Sequence, residues 1–187
     1  MLPLLVLQML TITIPKTELF DESTEEFIYI KEQTLCLEHS LVSVAKWEAK
    51  WKKSFLGKDE KTPDEMLDYI RCMTITQNVD PKCYFGLTNE NVLAVKNYIE
   101  DTMTATTFRD NQGRRNREII TAEIIYYWMI ELGIPFECQK WHLNRLLTLI
   151  NVCSIKNAPN KKMSKKDAFA QQNQLNAARR KKFNSLG

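Results

Sequence analysis

Residues Arg117 to Cys153 read REIITAEIIYYWMIELGIPFECQKWHLNRLLTLINVC, the densest apolar stretch of the chain, broken by a single Gly-Ile-Pro. Two long helices are predicted here, about Arg117 to Leu132 and about Phe136 to Ser154. Gly133 tolerates the left-handed backbone that stops a helix, while Pro135 forbids simple continuation and suits the first turn of the next. The stretch is an αα-hairpin, and its apolar density makes it the expected core of the body.

Upstream, SLVSVAKWEAKWKKSFL places Leu41, Val44, Trp47 and Trp51 on one helical stripe, with Gly57 as the expected stop. TPDEMLDYIRCM is a helix start with Thr62 as N-cap, Pro63 in the first turn and Glu65 closing a capping box ahead of Met66, Leu67, Ile70 and Met73. DPKCYFGL predicts a short helix entered through Asp80 and Pro81, and TNENVLAVKNYIED another, capped by Thr88 with Val92, Val95 and Ile99 inward. Thr102 to Asn116 is polar and locally basic and reads as an exposed loop. At the front, LTITI, EFIYI and TLCLE carry β-type patterning, giving a small three-stranded antiparallel sheet whose second and third runs form a hairpin. Met9 directly precedes the first strand, so both Met1 and Met9 stand as candidate starts.

The remaining numbers agree with a helix-dominated chain. Five glycines and six prolines in 187 residues argue for long regular elements over a many-turned β-sandwich or a glycine-rich phosphate-binding fold. The cysteines (36, 72, 83, 138 and 153) are odd in number and contain no CxxC pair, so neither a disulfide framework nor a structural zinc site is expected, and a reducing cytosol is the natural setting. MLPLLVLQML lacks a basic n-region and a cleavage motif, and no later run nears the roughly 20 apolar residues of a membrane span. The net charge of +3 conceals a division: from Lys156 onward nine Lys and Arg face the single acid Asp167, giving +8 and leaving −5 for residues 1–155.

Side chains that could carry chemistry are few. Cys138 and His142 stand one turn apart on the predicted second helix, but a metal site needs three or four ligands and none converge. They read as flanking a packed face, with His142 bonded to a backbone carbonyl or an acid of a neighbouring helix. Tyr126, Tyr127 and Trp128 point around a helix rather than along one exposed face, and Trp47 and Trp51, though interleaved with lysines, lie on the apolar stripe; both sets read as core rather than as stacking platforms for bases. The acids of DESTEE read as a solvated turn. GxGxxG, Walker, GxSxG and HExxH motifs are all missing, so neither an enzyme nor a cofactor is expected.

The basic tail, with Ser164 and Asp167 set for a capping box, predicts a helix with little apolar surface of its own. Its cations suit either a protein partner, on which it folds, or the phosphates of a nucleic acid.

LCLEHSLVSVAKWEAKWKKSFL, KTPDEMLDYIRCMTI, MTATTF, the Arg117 to Cys153 stretch and the close KKMSKKDA...LNAARRKK together resemble the tail assembly chaperones of long-tailed bacteriophages, over nearly the whole chain from Met9. The resemblance implies a non-enzymatic protein that escorts the helix-rich tape measure protein in the host cell cytoplasm until tail tube subunits polymerise around it. It also implies that a longer frameshifted form can arise, with Arg179 to Lys182 as the place for such a junction.

The resulting expectation is an α+β, predominantly helical protein. Residues 1–39 hold an extension and a small antiparallel sheet, 40–155 the helical body with its central αα-hairpin, and 156–187 a basic helical arm. Partner contacts are expected at Arg114 and Arg115 of the loop, and at Lys161, Lys162, Lys165 and Lys166 leading into the arm. Phe169 and Leu175 are its apolar anchors, and Arg179, Arg180, Lys181 and Lys182 its basic close. The expected partners are the tape measure protein, the tail tube protein and further copies of the chain, with nucleic acid as an alternative and no membrane. A structural protein of the virion tail or head-tail connector is the rival reading.

Overall fold

The computed structural model describes residues 9–22, 25–108, 119–158 and 165–183. The fold is α+β and predominantly helical, in two compact units, Met1–Ser154 and Ile155–Gly187. The first unit opens with four strands, β1 (Leu10–Ile14), β2 (Thr17–Asp21), β3 (Glu26–Ile30) and β4 (Gln33–Leu37). Helices α1 (Leu41–Trp51), α2 (Pro63–Met73), α3 (Asn89–Glu100), α4 (Ala122–Glu131) and α5 (Leu143–Asn157) follow, with 3-10 turns at Pro81–Gly86 and Phe136–Lys140. The second unit carries α6 (Lys165–Phe183).

The strands correct the expected sheet. β1 pairs with β4, and β2 with β3, all antiparallel. The register runs unbroken from Leu10 opposite Leu37 to Asp21 opposite Glu26, so the four strands form one long ribbon interrupted at Pro15 and Lys16. Proline has no N–H to give the ladder, which explains the break. EFIYI therefore pairs with the strand TELFD and not with TLCLE; the chain reverses in the acid-rich turn between Asp21 and Glu26, where Glu25 takes a positive φ of 54°. The free edge of β4 is met after α2, where the Glu38 N–H donates to the Met73 carbonyl (2.8 Å) and the Ile75 N–H to that of Cys36 (2.9 Å).

The core lies between the base of the ribbon and the helices. Ile12, Ile14, Leu35 and Leu37 meet Leu41, Val44 and Trp47 of α1, Tyr69 and Met73 of α2, Ile125 and Met129 of α4, and Leu143 and Leu146 of α5. α1 ends at Trp51 rather than at Gly57, because Lys52 turns left-handed and Glu48 accepts from the Phe55 N–H at 2.7 Å, drawing Phe55 inward against Tyr69. The α2 capping box forms as predicted between Thr62 and Glu65. In α3, Val95 and Tyr98 are buried and Val92 is exposed, against the inward place expected for it.

The apolar stretch holds two helices, α4 and α5, with changed bounds, but α4 packs against α1 rather than forming a closed hairpin with α5. α4 begins at Ala122, and Gly133 takes the left-handed φ of 64°. The second arm is not one helix from Phe136: after the 3-10 turn the chain extends through Trp141 and His142, which bridges to Ser40, before α5 starts. The Leu143 N–H donates to the His39 carbonyl at 2.9 Å, so pairing with the segment ahead of α1 replaces a helical turn here.

Candidate partner-binding surfaces

Of the residues expected to meet a partner, Arg114, Arg115, Lys161 and Lys162 lie outside the described residues. The others fall on α6. Phe169, Leu175, Arg179 and Arg180 are exposed. Phe169 and Leu175 are six positions apart, which separates them by about 120° around the helix, so they do not form a stripe. The helix is polar all round, and a helix of that kind needs support from other charges or from a partner. Its basic residues fall at both ends. Arg179 and Arg180, near the C-terminus, sit where the helix dipole favours cations.

The pair Cys138 and His142 does not share a helical face, since Cys138 sits in the 3-10 turn and His142 in the extended link. The structure instead brings His142 to His39, 103 positions upstream, with ring centroids 4.9 Å apart. Both rings are buried. His39 Nδ1 lies 2.5 Å from the Tyr69 hydroxyl, whose oxygen is 3.4 Å from Ser43 Oγ. The His39 N–H donates to the Tyr98 hydroxyl (3.3 Å), and His142 Nε2 lies 2.8 Å from the Tyr98 carbonyl oxygen. Burial, aided by the charge of His142, pushes His39 down to about 3, and burial also lowers His142. Burial pushes Tyr98 up to about 12 and raises Tyr69 further. All four groups are therefore neutral near pH 7 and sealed from solvent, an arrangement that joins β4, α1, α2, α3 and α5 rather than one that reaches a substrate. No sequence signal points from His39 to His142, because nothing local records a contact between segments so far apart.

A depression of about 320 Å³ is lined by Met9, Val42, Cys72, Met73 and Ile75 together with Glu38, Lys46 and Lys140. Burial and the neighbouring Asp68 raise the Cys72 thiol, which is protonated at neutral pH and a poor nucleophile. Among the described residues no three His, Cys, Asp or Glu side chains converge where they could hold a metal ion, and no helix is long and apolar enough to cross a membrane.

Comparison with known protein families, with curated proteins and with solved structures finds no match to this chain.

Proposed function

We propose that the chain is a non-enzymatic tail assembly chaperone of a long-tailed bacteriophage, binding the tape measure protein through its basic arm in the host cell cytoplasm. The sequence resemblance motivates the reading, and one structural observation carries it: α6 lies in a separate unit from the body and exposes Phe169, Leu175, Arg179 and Arg180, with little apolar surface of its own. Such a helix binds weakly at any one place. Many copies along an extended client supply affinity by avidity while each contact remains displaceable by the tube protein.

Quantitative mass spectrometry of infected-cell lysate and purified virions tests this reading. A chaperone is abundant in the lysate and absent from particles; a stoichiometric presence in particles overturns the reading in favour of a structural protein of the tail or connector. The four consecutive cations Arg179 to Lys182 in the sequence support a second reading in which the arm binds nucleic acid. Binding of that kind weakens steeply and uniformly with salt, whatever the base sequence.

A further inference from the structure

The far end of the β-ribbon is built unlike the rest of the body. From Thr17 to Ile30 the chain carries five carboxylates, Glu18, Asp21, Glu22, Glu25 and Glu26, and no lysine or arginine. The register sets Glu18 opposite Tyr29 and Phe20 opposite Phe27, so these four share one face. That face is open: Phe20, Phe27 and Tyr29 are 53%, 57% and 69% exposed, with the two phenylalanine rings 5.1 Å apart. The other face is turned to the body through Leu19, Ile28 and the buried Ile30. Apolar area of this kind left in water forgoes about 25 cal/mol for each Å² that a partner would cover.

The complementary chemistry is present on the same chain. The segment from Lys156 carries +8, and its helix adds the exposed Phe169 and Leu175. Guanidinium and ammonium groups are drawn both to carboxylates and to the faces of exposed aromatic rings. We propose that the acidic, aromatic ribbon tip of one copy receives the basic helix of a second copy. Each copy then offers one tip and one arm. The contact joins two different surfaces, so it supports exchange of arms between two copies, rings or open strings alike. It does not depend on the identity of the client.

The test uses the full-length chain in sedimentation velocity across a concentration series, at low salt and at about 0.5 M NaCl, where screening is nearly complete beyond contact distance. The expected result is concentration-dependent association of the native chain that weakens at high salt. Glu18→Lys with Glu26→Lys takes the tip from −5 to −1, and Arg179→Glu with Arg180→Glu takes the arm from +8 to +4. All four positions are exposed, and the circular dichroism spectrum reports whether each variant is folded. Each variant is expected to associate at least about tenfold more weakly, corresponding to about 1.4 kcal/mol. A native chain that stays monomeric throughout, or assembly that survives either pair of substitutions, overturns the proposal. A monomer compacted by its own arm gives the first of these outcomes.

Discussion

His39 and Glu48 carry the most at the scale of single residues. His39 is held neutral down to about 3, against about 6.5 in an unfolded chain. Between those values the unfolded chain binds the extra proton, so stability present above pH 6.5 is lost as the pH falls through that window. Urea unfolding at pH 7.5 and pH 5.0 should differ by about 2 kcal/mol from His39 alone, with His142 adding in the same direction, and His39→Asn should flatten the dependence. Glu48 takes the place of a cap that Thr121 does not provide. Its Oε2 accepts from the Ala122 N–H at 2.7 Å, at the start of α4, while Oε1 holds Phe55. Glu48→Ala strands two buried N–H groups and should cost about 3 kcal/mol in denaturant unfolding. The difference in legibility is physical. Trp47 and the Thr62 and Glu65 cap could be read because their partners or periodicity lie within a few positions. The contacts of His39 with His142 and of Glu48 with Ala122 join distant segments, and no local pattern records them.

At the scale of elements, the ribbon shows how a pairing can be misread when its strands are patterned correctly. The short Lys31 and Glu32 link between β3 and β4 invites a hairpin, yet the ribbon runs straight through it, and the true reversal sits in the acids taken for a solvated turn. The strand TELFD was hidden because glutamate and aspartate dilute its alternation. Gly86 shows how the ribbon is seated: a Cβ added there would stand 3.0 Å from Ile30 Cδ1 and 3.1 Å from Ile14 Cγ2. Gly86→Ala is therefore expected to lower stability by about 1 kcal/mol, and Gly86→Val by more, in thermal unfolding. For α6, the dipole argument gives effects of opposite sign from one change. Lys165→Glu with Lys166→Glu should raise the helix content seen by circular dichroism while weakening capture of the client, whereas a purely structural role for these lysines predicts that both fall together.

At the scale of the whole molecule, the division of charge is the dominant feature. A body of −5 and an arm of +8 were legible from composition alone, because charge is additive and needs no fold. The helix-dominated class was legible too, from the apolar density of the Arg117 to Cys153 stretch and the scarcity of glycine and proline. Which surfaces those charges occupy was not, since only the pairing of β2 with β3 sets Glu18 on the exposed face of Phe20, Phe27 and Tyr29 and Glu26 on the other. The arm's placement on a separate helical unit accords with a protein that works by transient, repeated contacts. The most direct measurement of the proposed function is co-expression of the chain with the tape measure protein encoded beside it, followed by affinity purification and quantitation of soluble client. The account predicts that the native chain co-purifies with the client and keeps it in solution, and that Arg179→Glu with Arg180→Glu lowers the yield at least about tenfold, corresponding to about 1.4 kcal/mol. A client equally soluble without the chain, or one that is not retained by it, would contradict the account.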